Sequence, residues 1–342
     1  MRVLVTGHKG FIGTILIPLF LKDGHDVVGL DSDLYRRCTY GSGMTVIPEI
    51  IKDVRDVEKE DLNQGFDAII HLAALSNDLL GDLNSQHTMD INYSATLRIA
   101  EIAKEIGVKR FLFASSCSMY GAAGEAVLDE SAQFNPVTTY AESKVKSEAE
   151  LQNLADDHFS PTYLRNATAY GVSPRIRFDV VVNNLTAWAY TTGKILMKSD
   201  GTPWRPLVHI EDISKAFLTL MKAPREKVHN QAFNIGINSE NYQIRKVADF
   251  VGNVVPDCVI SFANDASPDL RNYRVNFDKF HHAFPENGLN WTVPSGIRQI
   301  YNSYKKIGLN AEDYEGIKYK RIAHIKHLLA SGALDESLRW VY

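Results

Sequence analysis

Apolar residues in the first part of the chain fall into short, nearly continuous runs separated by longer segments of helical spacing. Val3-Leu4-Val5, Val27-Val28-Gly29-Leu30, Ala68-Ile69-Ile70 and Phe111-Leu112-Phe113-Ala114 are runs of the kind buried on both faces of a parallel sheet. Between them, Phe11 to Lys22 and Tyr93 to Ile106 carry helical periodicity. This alternation predicts an α/β fold with a doubly wound parallel sheet over residues 1–170. After Gly171, turn-rich stretches such as Asp200-Gly201-Thr202-Pro203 and Ser267-Pro268-Asp269 separate short helices and strands. They predict a smaller, discontinuous lobe from 171–206 and 237–313 that closes over a ligand. A segment at about 207–236, with the run Phe233-Asn234-Ile235-Gly236, returns to the sheet. Residues 314–342 form a tail in which Ile322, Ile325, Leu328 and Leu329 recur at helical spacing. Lys318, Lys320, Arg321, Lys326 and His327 surround them; the expected arrangement is a docked helix with a solvated charged face, the alternative a phosphate contact.

Composition narrows the function classes. The 342 residues are 45% hydrophobic and 23% charged, ordinary proportions for a globular enzyme. A net charge of −4 gives no electrostatic reason to expect nucleic acid or an anionic membrane as partner. Cys38, Cys117 and Cys258 are too few and too scattered for a disulfide framework or a zinc site, and the eleven histidines include no His-Glu-x-x-His, so no metal is expected. The start of the chain is no signal peptide, and the longest apolar run, Ile15 to Leu21, contains Pro18 and is too short to span a bilayer. The expectation is a soluble, cytoplasmic protein.

Candidate chemistry begins at Thr6-Gly7-His8-Lys9-Gly10-Phe11-Ile12-Gly13, which follows the first strand and opens the first helix. Glycines there let the backbone turn sharply and approach a pyrophosphate, while the helix start offers free N–H groups. Taken alone they fit a ligand-free tight turn equally well. Asp31 ends the second strand 18 residues beyond Gly13, where a carboxylate would accept hydrogen bonds from an adenosine ribose and repel a 2′-phosphate. That favours NAD over NADP; Arg36 and Arg37 follow closely enough to offset the repulsion, but are expected as surface charges or contacts to adenine. Asp53-Val54 follows the third strand, placed either to meet adenine or to make a loop turn.

Tyr140 and Lys144 are four residues apart in a helical stretch and so share a face. A tyrosine phenolate at neutral pH costs roughly 4 kcal/mol, which a fixed neighbouring cation lowers. So tuned, a tyrosine can take a proton from a sugar hydroxyl while hydride leaves the same carbon.

Together these residues resemble the extended short-chain dehydrogenase/reductase family, specifically its NAD-dependent epimerase/dehydratase group acting on nucleotide sugars. The resemblance covers about residues 1 to 300 and includes Asp53-Val-Arg-Asp56, His71-Leu-Ala-Ala74, Asn92, Ser115-Ser116…Tyr120-Gly121 and Trp204-Arg205-Pro-Leu-Val-His-Ile-Glu-Asp212 besides the glycine loop and the Tyr/Lys pair. It implies a Rossmann-type sheet with NAD held by Gly7, Gly10, Phe11, Ile12, Gly13, Asp31, Asp53, Val54, Leu72, Ala73, Ala74, Ser115, Tyr140 and Lys144. It implies that Tyr140 is the general base and acid, that Lys144 lowers its pKa and holds the nicotinamide ribose, and that Ser116 hydrogen-bonds the reacting sugar oxygen. Asn92 would support the active-site backbone or simply pack. For the substrate, Asn184-Leu185 and Arg205 match a diphosphate grip, with Arg271 either a second phosphate ligand or a surface arginine. Ser76, Asn77 and Asp78 follow His71-Leu-Ala-Ala-Leu75 near the sugar hydroxyls or in a surface loop, and His209 and Asp212 shape the chain.

The positions after Ser116 separate the reactions of this group. Dehydratases carry an Asp-Glu pair there and the decarboxylases a glutamate; here the residues are Cys117 and Ser118. Without those carboxylates the resemblance implies an NAD-dependent epimerase of a nucleoside-diphosphate sugar. The alternative is an NAD(P)H-dependent 4-ketoreductase of a nucleotide-linked 4-keto-6-deoxysugar. A dinucleotide-binding sensor without catalysis is a third reading, disfavoured because Tyr140, Lys144 and Ser116 are all present. In Arg165-Asn166-Ala167-Thr168-Ala169-Tyr170-Gly171, Thr168 stands where many members have Asn, which implies a sugar or an orientation different from the common one. Homodimerisation through the 93–106 and 140–154 helices is the family's habit, with the tail as a competing element.

Overall fold

The computed structural model describes residues 1–41, 43–76, 84–197, 199–262 and 271–341. Its centre is a sheet of seven parallel strands: β1 (Arg2–Thr6), β2 (Asp26–Asp31), β3 (Glu49–Ile51), β4 (Ala68–His71), β5 (Arg110–Ser116), β7 (Ser160–Asn166) and β11 (Gln231–Ile235). The spatial order is β3-β2-β1-β4-β5-β7-β11. Each predicted apolar run is one of these strands. Val3, Leu4 and Val5 are fully buried because β1 lies between β2 and β4, with Leu4 level with Val28 on one side and Ile69 on the other. The order reverses between β1 and β4, so the loops after these two strands diverge and leave a crevice at their carboxyl ends.

Helices cover both faces. On one side α1 (Gly13–Lys22) packs Leu16, Ile17 and Phe20 into a core shared with residues of a later helix, Ile213, Phe217 and Leu220. On the other lie α2 (Lys59–Leu62), α3 (Ser85–Met89), α4 (Ala95–Glu105) and α5 (Thr139–Leu154), where Ile99, Ala103 and Leu151 share a core with Leu4, Phe111 and Phe113. The segment expected to be helical from Tyr93 instead opens with a π-turn, Asp90–Ser94, that carries Asn92. A widened turn of this kind commonly marks a functional position.

The remaining strands are short: β6 (Ala122–Leu128), β8 (Thr168–Tyr170), β9 (Lys194–Met197), β10 (Trp204–His209), β12 (Asn241–Gln243), β13 (Val259–Phe262) and β14 (Asn272–Val275). They form a three-stranded sheet, β12-β10-β8, and two pairs, β13-β9 and β14-β6. Around them run α6 (Val181–Thr192), α7 (Ile210–Lys222), α8 (Arg225–Val228), α9 (Ile244–Val254), α10 (Asp278–Ala283), α11 (Val293–Ile307) and α12 (Ala311–Glu315). Of these, α7 lies against α1 on the main sheet, whereas Val182, Leu185, Val247, Val251, Ile297 and Ile300 of α6, α9 and α11 build a separate core. The chain thus leaves the main sheet after β7 and returns as β11, which pairs with β7.

Last comes α13 (Arg321–Ala330). Ile325 and Leu328 are fully buried, and with Leu334 and Leu338 they enter the same core as Leu4, Val28 and Leu30 of the central strands. Among the described residues no helix is long and apolar enough to cross a membrane, and no group of His, Cys, Asp or Glu could hold a metal ion.

Candidate active site

The crevice opens into a cavity of about 1030 Å³ that runs from the β1–β4 divergence to α6, β10 and the tail. Its first wall is the glycine loop. Gly7 has φ +71, and a Cβ there would stand 2.7 Å from the backbone N of Ala73; one on Gly13 would stand 2.5 Å from the His8 carbonyl. Only glycine lets the loop lie against the end of β4 in this way. Helix α1 has no side-chain N-cap and no acidic residue in its first turn. Its positive end therefore faces the cavity with Gly10, Phe11, Ile12 and Gly13 on the wall, a fit for a pyrophosphate.

Asp31 sits at the end of β2 and accepts hydrogen bonds from the backbone N–H of Lys9 (3.0 Å) and Asp33 (2.8 Å). Burial raises its pKa, an effect opposed by those two donors. Lys9 is turned to Asp33 and Glu49, at 3.3 and 2.7 Å. The Arg36 guanidinium lies 3.7 Å over the ring of Trp340. Asp53 and Val54 also line the cavity, the Asp53 carboxylate being held by the Arg55 backbone N–H and guanidinium at 2.7 to 2.9 Å.

Leu72, Ala73, Ala74 and Ser76 continue the wall after β4. Beneath them Asn92 is fully buried; its side chain accepts from the Leu75 N–H (2.8 Å) and donates to the Leu75 carbonyl (3.0 Å). His71, also buried, is held between the hydroxyls of Thr6 (2.8 Å) and Thr96 (2.9 Å), and burial pushes its pKa down to about 3, so it is neutral. Asn77 and Asp78 lie outside the described residues.

At the end of β5, Ser115 and Ser116 face the cavity, and the Ser116 hydroxyl accepts from the Ser118 N–H at 3.1 Å to cap the tight turn Cys117–Tyr120. That turn separates the two following residues. Cys117 is fully buried and its thiol, its pKa pushed well up by burial, points to the Arg165 carbonyl at 3.0 Å. Ser118 lines the cavity, and its buried hydroxyl has no hydrogen-bond partner among the described residues.

Tyr140 and Lys144 lie on the first turns of α5, which Thr138 caps by accepting from the Ala141 N–H. The Lys144 ammonium donates to the Ala114 carbonyl at 2.8 Å and sits 4.5 Å from the centre of the Phe113 ring and 5.7 Å from that of Tyr140. Burial pushes its pKa down from 10.5 to about 7, with Glu148 one turn further along opposing the shift. Glu148 itself is buried in a paired grip with Arg165, whose guanidinium reaches it at 2.7 Å.

The outer wall carries Thr168, Asn184, Leu185, Arg205 and Arg271. Thr168 shares a hydrogen bond with the Tyr273 hydroxyl, the Asn184 amide donates to the Phe178 carbonyl (2.8 Å) and the Tyr314 hydroxyl (2.7 Å), and Arg205 donates to the carbonyls of Trp204 and Arg271. His209 and Asp212 do not line the cavity; His209 meets Gln299, and Asp212 accepts from the backbone of Asn290 and Trp291.

Two parts of the wall go beyond the site residues expected from sequence, although the tail's basic cluster had a phosphate contact as its alternative reading. Arg177 donates to the Ser76 hydroxyl and carbonyl, both at 2.9 Å, and pairs with Asp179. Burial works against the Asp179 carboxylate, but Arg177 outweighs it and holds the pKa below the usual range. Two arginines two residues apart, Arg175 and Arg177, were the available signal. The other part is the tail, where Tyr314, Tyr319, Arg321 and Ile322 reach the same cavity.

A model of the NAD dependent epimerase/dehydratase family matches residues 3–236, more than half of the chain. The chain belongs to this family. NAD is therefore its coenzyme, and the glycine loop and Asp31 suit it. Among curated relatives, the UDP-glucose 4-epimerase of Mycolicibacterium smegmatis is 31% identical over 253 residues, 70% of this chain and 78% of the relative. The dTDP-D-glucose 4,6-dehydratase of Homo sapiens is 23% identical over 326 residues, covering 89% and 90%. Among solved structures, that of MoeE5 in complex with UDP-glucuronic acid and NAD superposes with a TM-score of 0.78 at 23% identity, over 90% of this chain and 99% of that one. The family member described here is thus an NAD-dependent nucleotide-sugar enzyme that resembles both epimerases and dehydratases.

Proposed function

We propose that this protein is an epimerase of a nucleoside-diphosphate sugar, working by transient oxidation to a keto sugar. The observation that carries this reading is the turn after Ser116. Of the two positions where an elimination would need carboxylates, Cys117 is buried away from the cavity and Ser118 offers only a hydroxyl. Asp179, which also lines the cavity, is tied to Arg177 and held ionised, a poor proton donor for a leaving hydroxyl.

In this reading Tyr140 takes the proton of the sugar hydroxyl and later returns it, and Ser116 holds that oxygen by a hydrogen bond. Lys144, beside the phenol, favours the phenolate while charged. NAD supplies the hydride acceptor and donor, held by the glycine loop, Asp31 and the strand-end residues Leu72 to Ala74. Arg205, Arg271 and Asn184 grip the diphosphate, so the sugar can turn over between the two hydride transfers while the nucleotide stays in place.

Tyr140→Phe removes the proton carrier and leaves the coenzyme walls intact. The expected result is a loss of turnover of about 10³-fold, within the usual range for a general acid/base, with unchanged NAD content. The assay follows two epimeric nucleotide sugars with no net change in reduced-nicotinamide absorbance. Stoichiometric consumption of NADH with a keto-sugar substrate would sink the epimerase reading and establish a reductase.

A further inference from the structure

The family match ends at residue 236, yet the tail far beyond it reaches the coenzyme end of the cavity. We propose that the segment from Tyr314 to Trp340 is a fixed strap across the coenzyme site that keeps NAD resident between turnovers. The inference rests on NAD being the coenzyme and is independent of which sugar reaction is catalysed.

Three sets of contacts define the strap. At its start the Tyr314 hydroxyl accepts from Asn184 at 2.7 Å, anchoring it to the substrate wall. In the middle Arg321 lies 4.3 Å from the centre of the Tyr35 ring and donates to the Arg175 carbonyl at 3.0 Å, and Ile322 lines the cavity beside it. At the far end the Trp340 indole donates to the Ser32 carbonyl at 2.7 Å, Arg36 stacks on the same indole, and Arg339 pairs with Asp56 at 2.6 Å. Ser32 and Arg36 follow Asp31, and Asp56 belongs to the turn that begins at Asp53. The strap therefore ties together both loops that border the adenosine end.

It is built as structure and not as a loose flap. Ile325 and Leu328 are fully buried in the core of the central strands. Beyond them a tight turn presents Arg339 and Trp340. The Asp335 carboxylate accepts from the Ser337 N–H and hydroxyl and from the Arg339 N–H, at 2.8 to 2.9 Å, and Leu338 takes a left-handed φ of 63 with its side chain buried. Release of NAD from its adenosine end then requires these contacts to break. A coenzyme held in this way must be returned to its starting state by each catalytic cycle, which suits a reaction without net redox change.

The test compares release of NAD from purified protein, followed after dilution into a coenzyme scavenger, in the wild type and in the double variant Arg339→Ala/Trp340→Ala. The variant is expected to release NAD at least about tenfold faster, the factor that corresponds to loss of one or two such contacts. Release unchanged in a folded variant overturns the strap. A second readout uses the wild type alone: hydrogen exchange of the tail amides gives their opening rate, and NAD release must be no faster than that opening. Coenzyme that leaves ahead of the tail also overturns it. Neither readout involves a sugar, so failure of the epimerase reading leaves both intact.

Discussion

The two ends of the cavity are built in different ways. The end proposed for the coenzyme is made largely of backbone: a glycine loop, an uncapped helix start and the ends of neighbouring strands, most of it within the first 74 residues. The end proposed for the sugar and phosphates is made of side chains drawn from segments far apart in sequence, among them Ser76, Ser116, Ser118, Tyr140, Arg177 and Arg205. A backbone surface keeps its shape whatever side chains surround it. A surface of separately supplied side chains can be changed one position at a time, so the second end sets what is distinctive about the enzyme.

Lys144 stands where the two ends meet, and replacing it gives the largest effect. Lys144→Met is expected to lower turnover by about 10² to 10⁴-fold while raising stability near neutral pH. The folded protein holds this lysine near 7, against 10.5 when it is free. Between those values the unfolded chain carries one more proton than the folded one, so wild-type stability rises with pH, by at most about 1.4 kcal/mol per pH unit. Denaturant unfolding at several pH values checks this. The variant should lack the slope, and a variant less stable than wild type at neutral pH would show that the ammonium contributes to the fold.

Gly13→Ala strikes the coenzyme end alone. The new Cβ meets the backbone carbonyls of His8 and Gly7 at 2.5 and 2.6 Å, so the loop must shift away from the helix start. NAD affinity measured by calorimetry should fall about 100-fold, a change of about 2.7 kcal/mol. Arg177→Met gives the smallest effect and strikes the other end. It frees Ser76 and leaves Asp179 without its main cation, which is expected to raise KM for the nucleotide sugar about tenfold, with NAD content unchanged. If Arg177→Met lost its coenzyme instead, the two ends would not be separable.

The same contrast explains what the sequence disclosed. Strand runs, the glycine loop, Asp31 and the Tyr140/Lys144 pair were legible because local rules fix them: burial on both faces, a positive φ, a four-residue helical spacing. Helix α4 starts later than its periodicity suggests because Asn92 turns inward to the Leu75 backbone, a contact between residues brought together only by the fold. Arg177 was hidden for a like reason, and Arg321 was legible only as one of a basic cluster, since an arginine in sequence looks the same whether it faces water or a cavity. The apolar stripe of the tail correctly announced a docked helix, but not where it docks. Nor could the order of residues reveal that Cys117 turns away from the cavity while Ser118 faces it.

The core that buries Leu4 and Val28 also contains Leu334 and Leu338. This has a consequence for how the protein is made. A ribosome delivers β1 and β2 about 300 residues before it delivers the side chains that finish their packing. The coenzyme half is encoded first, and most of its core, from Leu4 through Ile99 and Phe111 to Tyr163, precedes the tail, which adds Ile325, Leu328, Leu334 and Leu338 last. Until then the patch that these four side chains cover stays exposed, and exposed apolar surface favours aggregation. A chain shortened before the tail would remain in that state.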